Sequence, residues 1–228
     1  FQIADTAIDA AALRALDGRT TGIITLSATT PVTVSGVYAD VHAVLTSGGI
    51  VGWSAPSVTL TAPVTAAQAD TIASLTNGAL TATVAADTVA NLLSSTANVS
   101  GDAVTLTVIG AALAAELLAL AARTTVSVDI SGVTTISGPL TDIASVYTGP
   151  FLGRGDEALS VYHTITAAQA TTVLGYTTGV VTATVDADTA SALNADLTGA
   201  SGTDALTLVV MVEAASAPTL ASDLIALA

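Results

Sequence analysis

The sequence predicts an α/β fold: a repeat solenoid of alternating short helices and parallel strands, with the helices on one side. Three observations support this prediction. Short motifs recur at one spacing, Ala-rich segments with helical periodicity alternate with Thr-rich segments, and the Thr-rich segments have one apolar and one polar face. In a solenoid each repeat stacks only on its neighbours. The alternative is a set of all-β sandwich repeats, which would apply if the helix-patterned segments were loops.

The recurring motifs indicate a tandem duplication. The motif T-A-A-Q-A at residues 65–69 returns unchanged at 166–170, and L-T-A-T-V at 80–84 returns as V-T-A-T-V at 181–185. Repeats of one supersecondary unit produce such ordered matches at a fixed period. We therefore predict a first repeat unit over residues 1–109, a second over 110–210 and the start of a third over 211–228.

Nine segments have the pattern of helices. Their predicted starts lie near Ile8, Val37, Thr65, Thr88, Ala111, Pro139, Thr166, Thr189 and Thr219. The first of the clear patterns places Val37, Val41 and Val44 on one helix face. Threonine stands at the start of several others, where its hydroxyl can cap the first turn. The predicted N-caps are Thr65, Thr88, Thr166 and Thr189.

The strand segments have a period of two residues. In one example Leu80, Ala82 and Val84 share a face, and Thr81 and Thr83 share the other. A sheet covered by helices on both sides would show continuous apolar strands instead. Strict alternation with helices predicts parallel strands. The predicted strands lie near residues 23–26, 32–35, 57–61, 79–84, 103–108, 125–130, 133–137, 158–162, 180–185 and 205–210.

Charge and composition exclude several classes of partner. The 228 residues include 18 Asp and Glu but only four Arg and no Lys, which gives a formal net charge of −14. Nucleic-acid binding needs basic side chains that neutralise phosphates, so we predict no nucleic-acid partner. The longest apolar stretch, residues 108–122, is short and contains Glu116, so we predict no membrane insertion.

The residues that enzymes use are scarce. There is no Cys, and the two histidines, His42 and His163, lie in no metalloprotease pattern. Neither a G-x-S-x-G elbow nor a lysine for a phosphate-binding loop is present. We therefore predict that the protein is not an enzyme and has no catalytic or cofactor-binding residues.

Two weaker site predictions remain. Asp186 and Asp188 form the best candidate pair for calcium, and the alternative is that they cap helices and order turns. Trp53, Tyr147 and Phe151 lie in long loops of an aromatic-poor chain, so they are candidate anchors for contacts between molecules. The alternative is that each loop packs on its own repeat.

The outward Thr-x-Thr pairs have two further interpretations. Regular rows of threonine resemble the surfaces of some ice-binding proteins, and threonine is also the polar residue that best suits a solvated strand. The last nine residues, 220–228, resemble 114–122, so the sequence is expected to stop inside the first helix of a third copy. Because the chain starts at Phe1, we expect it to be a piece of something longer. Further repeats or a neighbouring molecule are then expected to cover the apolar end of the solenoid.

Three motifs carry a resemblance to a known group of proteins. They are L-D-G-R-T-T-G at 16–22, V-T-T-I-S-G at 133–138 and G-R-G-D-E-A-L-S-V at 153–161. They resemble tandem repeats of very large secreted or cell-surface proteins, adhesin-like or S-layer-like, of marine cyanobacteria and proteobacteria. The resemblance covers nearly the whole chain and implies an extracellular or cell-surface structural role. It brings no catalytic residues, and the calcium-binding glycine-rich nonapeptides of such proteins are absent here.

The predicted function follows from these points. We expect a structural repeat protein that self-assembles, head to tail, into a filament, sheath or surface layer. Its partner would be itself, in a homo-oligomer. The alternative is a spacer or ligand-binding segment of a giant bacterial adhesin, which would stay monomeric.

Overall fold

The computed structural model describes residues 2–26 and 32–211, which form an α/β protein with eight helices and parallel-strand sheets. The α/β prediction is confirmed, and the all-β alternative is wrong because the Ala-rich segments are helices. No helix in this part of the chain is both long and apolar enough to cross a membrane. The helix predicted near Thr219 lies outside the described residues, as does nearly all of the predicted third unit, 211–228.

These residues form two compact units. Unit 1 comprises the described residues of 1–108 and 119–129, and unit 2 those of 109–118 and 130–228. The boundary predicted between 109 and 110 falls inside a strand rather than in a linker. That strand is β9 (Thr107–Leu113).

Unit 1 contains most of the short elements of the first half of the chain. Its elements are β1 (Gln2–Ile3), β2 (Ala7–Asp9), α1 (Ala10–Asp17), β3 (Ile24–Leu26), β4 (Thr33–Gly36), α2 (Tyr38–Thr46), β5 (Ile50–Val51), β6 (Ser57–Leu60), α3 (Ala66–Leu75), β7 (Leu80–Thr83), α4 (Val89–Ser94) and β8 (Ala103–Thr105). Its larger sheet has the strand order β2-β4-β6-β7-β8, and its smaller sheet has the order β1-β3-β5. All of these pairs are parallel.

Three elements have residues in both units: β9 (Thr107–Leu113), α5 (Ala114–Ala121) and β10 (Val128–Pro139). Unit 2 continues with α6 (Leu140–Thr148), β11 (Phe151–Leu152), β12 (Ala158–Ile165), α7 (Ala167–Leu174), β13 (Val181–Val185), β14 (Asp188–Thr189), α8 (Ala190–Asp196), β15 (Ala205–Thr207) and β16 (Val210–Met211). Its main sheet has the order β11-β10-β12-β13-β15, with β9 also paired to β10. A second pair, β14 and β16, is parallel.

The strands bury one face, as their alternation predicts. In β13 the side chains of Val181, Ala183 and Val185 are buried, whereas Thr182 and Thr184 are exposed. The helices bury small and medium-sized side chains; in α3 these include Ala69 and Ile72, and in α7 Ala170 and Val173. Burial of this apolar area is the main stabilising contribution to both units.

All four predicted threonine N-caps are present. Thr65 and Thr166 each form a full capping box, in which the hydroxyl accepts from the Gln N–H three residues on and that Gln side chain accepts from the Thr N–H. Thr88 and Thr189 accept from the third residue of the following helix. The T-x-x-Q motif therefore fixes both the start and the first turn of α3 and α7.

Several boundaries differ from the prediction, and the strand expected over 103–108 is divided between β8 and β9. The helix expected near Ala111 starts only at Ala114, because Gly110 has φ +80°, a conformation that an α-helix excludes, and the chain up to Leu113 stays in β9. The two strands expected over 125–130 and 133–137 are one strand, β10, which passes through Ser131 and Gly132.

Candidate functional site

An apolar groove lies where β1, β2 and α1 meet in unit 1. Its volume is about 170 Å³, and the side chains that line it are those of Ile3, Asp5, Ala7, Ile8, Asp9, Ala12, Leu13 and Leu16. Within the described residues, β1 and β2 are each the terminal strand of their sheet, with a neighbour on one side only. The groove therefore combines apolar side chains with the outer edge of β2.

The position of α1 is fixed by local interactions. The Asp9 carboxylate caps the helix by accepting from the Ala12 N–H at 2.8 Å. On the exposed side, the Arg14 guanidinium donates to the Asp40 carboxylate of α2 at 2.7 Å. These contacts leave Ala12 and Leu16 on the groove.

A comparison between α1 and α5 shows how unusual this exposure is. Leu16 begins L-D-G-R-T-T and Leu120 begins the matching L-A-A-R-T-T. Leu120 is fully buried, at 0% exposed, whereas Leu16 is only half-buried. The surface around Leu16 is therefore an apolar surface that the matching helix does not leave open.

A second pair of strand edges occurs at the last described strands of unit 2. Within the described residues, β15 pairs only with β13, and β16 pairs only with β14. Val209, beside β16, is 52% exposed, and Met211, in β16, is 47% exposed. Exposed edges with apolar side chains are templates for pairing with another chain.

Two of the predicted interface aromatics pack on unit 2 itself. The Tyr147 ring stacks on the Tyr176 ring, with centroids 4.6 Å apart, and its hydroxyl donates to Glu157. Burial raises the pKa of Tyr147 well above its usual range, and the hydrogen bond to Glu157 and the charge of Glu157 raise it further. Phe151 is buried. The prediction that both lie in a loop is wrong, because Tyr147 is in the last turn of α6 and Phe151 is in β11. Both pack within unit 2, and an interface role stays a prediction.

The third predicted aromatic, Trp53, is half-buried in unit 1. Its indole Nε1 is buried and, within the described part of the chain, has no hydrogen-bond partner. The structure thus places Trp53 in unit 1 and Tyr147 and Phe151 in unit 2.

Glu157 is a residue that the sequence analysis missed. It is only 2% exposed, and its Oε2 accepts from the N–H groups of Gly155 and Asp156 at 2.8 and 3.1 Å. With the Tyr147 hydroxyl on Oε1, the carboxylate orders the whole turn. The one available signal was the spacing of the recurring motifs, by which Glu157 corresponds to the buried Pro56.

The predicted calcium pair is held differently at its two members. Asp188 accepts from the Thr189 N–H at 2.7 Å, beside the N-terminus of α8. Asp87 makes the same contact with Thr88, and a further hydrogen bond from Asn91 lowers the pKa of Asp87. Asp186 is exposed. No cluster of three His, Cys, Asp or Glu suited to a metal occurs in the described residues, and calcium at Asp186 and Asp188 stays a prediction.

Two further carboxylates connect turns to strands. Asp102 accepts from the Leu80 N–H at 2.8 Å, and burial raises the pKa of Asp102. Asp204 accepts from the Val181 N–H at 2.9 Å and also from the N–H and hydroxyl of Ser201. Burial alone would raise the pKa of Asp204, but these three hydrogen bonds hold it below its usual value.

No family model, curated protein or solved structure matches the chain. The groove and the single-sided strand edges suit association with a protein chain, because they offer apolar area and backbone hydrogen-bonding groups together.

Proposed function

We propose that the chain is a repeat solenoid that assembles head to tail with further copies of itself into a filament, sheath or surface layer at the cell surface. The apolar groove at β1, β2 and α1 is the observation that supports this most. It offers one copy an apolar surface and the outer edge of β2, and the edges at β15 and β16 offer a second copy the matching chemistry.

Recurring contacts support the solenoid. The capping box at Thr65 recurs at Thr166, and the hydrogen bond from the Leu80 N–H to the Asp102 carboxylate recurs between the Val181 N–H and the Asp204 carboxylate. In both main sheets, successive parallel strands such as β6 and β7 are neighbours joined by a helix. That connectivity is the one expected of coils that stack in chain order.

Assembly would proceed by contacts that differ on the two partners. One copy supplies the β15 and β16 edges, and the next supplies the groove and the β2 edge. A contact of this heterologous kind repeats without closing unless the rotation happens to form a ring, so it produces filaments. The absence of Lys favours this, since lysines on edge strands are a common protection against pairing.

The alternative function, a spacer or ligand-binding segment in a giant adhesin, differs in one respect. There the groove would be covered by preceding repeats of the same long chain, and the segment would not associate with separate copies. The resemblance to large secreted repeat proteins fits both proposals, so oligomeric state separates them.

The test is sedimentation velocity over a concentration series, with two matched variants. Ala12 is exposed and lines the groove, whereas Ala15 is exposed on the same helix and does not line it. Wild type and Ala15→Arg should form large assemblies, and Ala12→Arg should stay monomeric. A wild-type chain that is monomeric at every concentration would leave the spacer function in its place.

A further inference from the structure

A second surface, on the sheet of unit 2, has a different chemistry from the groove. The strand register aligns Ser137, Ser160 and Thr182 in one row and Thr164, Thr184 and Thr207 in another. The four threonines are exposed and the two serines are half-buried. Neighbouring strands lie about 4.8 Å apart, so the hydroxyls follow one another at that spacing. We call these six residues, together with Tyr162, the hydroxyl face.

The hydroxyl face is uncharged in a strongly acidic protein. Its seven side chains include no carboxylate, Arg or Lys, although the chain has a formal net charge of −14. Among the described residues, Asp186 lies just past the end of β13, and the Asp204 carboxylate next to β15 is engaged by Val181 and Ser201. The absence of basic groups disfavours an anionic ligand, and the absence of carboxylate clusters disfavours a cation.

An irregularity in β12 adds an aromatic ring to this face. The register between β12 and β13 shifts between Ser160 and Thr164, and His163 there has φ +65°. Tyr162, beside it, is 44% exposed. A bulge re-aims side chains and is typical of positions next to binding sites. It also breaks the regular spacing of the hydroxyl rows, which argues against binding of an extended ice lattice.

Unit 1 provides an internal comparison. Its sheet has similar rows, with Ser35, Thr59 and Thr81 in register and Thr83 opposite Thr105. At the positions that match Tyr162 and His163, it has Thr61 and Ala62. The row in unit 1 also begins at a carboxylate, because Asp9 of β2 is in register with Ser35. The uncharged face with a ring is therefore specific to unit 2.

We infer that the hydroxyl face binds a neutral saccharide chain, with one sugar ring stacked on Tyr162. Each Ser or Thr hydroxyl is both a donor and an acceptor, as each hydroxyl of a sugar is. The flat aromatic ring supplies apolar contact for the C–H face of a sugar, while its own hydroxyl stays hydrated. This inference does not depend on self-assembly, because it concerns a different surface.

The test is binding to an immobilised panel of uncharged hexasaccharides of β-linked glucose, α-linked glucose and mannose, with a hexamer of galacturonic acid as the charged comparison. Wild type should bind at least one uncharged chain and bind the acidic chain less. Tyr162→Ala should weaken that binding at least tenfold. The ring is exposed, so circular dichroism of this variant should match that of wild type.

A matched pair of double variants tests the hydroxyl rows without changing shape. Thr182→Val with Thr184→Val removes two hydroxyls from the hydroxyl face, and Thr81→Val with Thr83→Val does the same in the nearly identical L-T-A-T-V strand of unit 1. The first pair should lose binding about tenfold, and the second should bind like wild type. Ala12→Arg should also bind like wild type, which separates this inference from assembly.

Three results would overturn the inference. They are no binding to any of the uncharged chains, equal binding by wild type and Tyr162→Ala, and equal losses in the two double variants. If Tyr162→Ala instead dissolves assemblies in sedimentation and leaves saccharide binding unchanged, the face joins copies of the chain and the saccharide assignment is wrong.

Discussion

Units 1 and 2 make the same turn with different residues, and the difference separates framework from specialisation. In unit 1 the Thr76 hydroxyl donates to the carbonyl of Pro56 and accepts from the Gly78 N–H. In unit 2 Thr177 does the same with the carbonyl of Glu157 and the Gly179 N–H. The backbone of the turn is therefore set by the Thr-x-Gly motif, while the residue whose carbonyl the threonine contacts, 20 residues earlier in the chain, differs between the units.

At that variable position the two units use opposite chemistry. Pro56 is an apolar residue that needs no partner, whereas Glu157 is a buried carboxylate that requires all three of its donors. Unit 2 thus depends on a polar network where unit 1 does not. Such a network rigidifies a loop when it is satisfied and costs stability when one member is removed.

The largest expected effect follows from that dependence. Glu157→Ala leaves the Tyr147 hydroxyl and two backbone N–H groups without their acceptor, and we expect unit 2 to lose about 3 kcal/mol of unfolding free energy. Pro56→Ala should cost unit 1 less than about 1 kcal/mol. Urea unfolding followed by far-UV circular dichroism measures the loss in Glu157→Ala. Fluorescence of Trp53, the one tryptophan, follows the unfolding of unit 1 separately. Equal losses in the two variants would contradict the comparison.

A smaller effect is expected at the other end of the same hydrogen bond. Tyr147→Phe keeps the stack on Tyr176 but removes the donor to Glu157, at a cost of about 1–2 kcal/mol. Because the pKa of Tyr147 is raised, its ring should also resist ionisation in alkaline titration followed at the phenolate absorbance. Tyr147→Phe should therefore leave the number of readily ionised tyrosines unchanged. A lower number in the variant than in wild type would show that Tyr147 ionises readily, which contradicts the buried hydrogen bond.

The helix caps sharpen the comparison by predicting equality. Thr65→Ala and Thr166→Ala each remove the hydroxyl of a capping box, so each should cost its own unit about 1 kcal/mol. Urea unfolding of the two variants should give the same loss within error. A loss confined to one variant would show that the two helices are not equivalent.

The smallest expected effect is a pH dependence of opposite sign at Asp102 and Asp204. The pKa of Asp204 is lowered in the folded state, so its contribution to stability is present above the unfolded pKa and is lost as pH falls through the folded pKa. The pKa of Asp102 is raised, so its contribution is present at low pH and is lost as pH rises through the folded pKa.

Asparagine variants can measure this contrast. The stability difference between wild type and Asp204→Asn should shrink as pH falls below about 4, the ordinary pKa of a carboxyl group, whereas wild type should gain stability relative to Asp102→Asn as pH falls towards about 4 from above. Unfolding free energies from urea titrations at several pH values give both curves. Two curves that slope the same way would refute the assignment.

Local chemistry made much of the fold predictable. The four threonine caps and the alternation in β13 follow from short-range rules, so the α/β class, most helices and the longer strands could be anticipated. The two- and three-residue strands β1, β2, β5, β11 and β14 were not predicted. The start of α5 could not, because the positive φ of Gly110 is a tertiary outcome that an Ala-rich segment does not reveal. The joining of two predicted strands into β10 depends likewise on its partners in the sheet.

The candidate sites were less predictable for a related reason. Burial of Glu157 and exposure of Leu16 both depend on which elements lie over them, and local sequence does not contain that information. Of the three aromatic residues predicted in loops, Trp53 lies in one, whereas Tyr147 is in the last turn of α6 and Phe151 begins β11. The loop pattern also did not include Tyr176, on which Tyr147 stacks. Only the alignment of the two copies, with Pro56 opposite Glu157, held a hint of the buried network.

The measurement that tests the central claim most directly is electron microscopy of the purified chain, with Ala12→Arg beside it, in calcium and after chelation. Head-to-tail assembly through the groove predicts ordered filaments or sheets from wild type and isolated particles from the variant. Loss of the wild-type order on chelation would add calcium at Asp186 and Asp188 to the account. Isolated particles of one size from wild type in both conditions would contradict self-assembly.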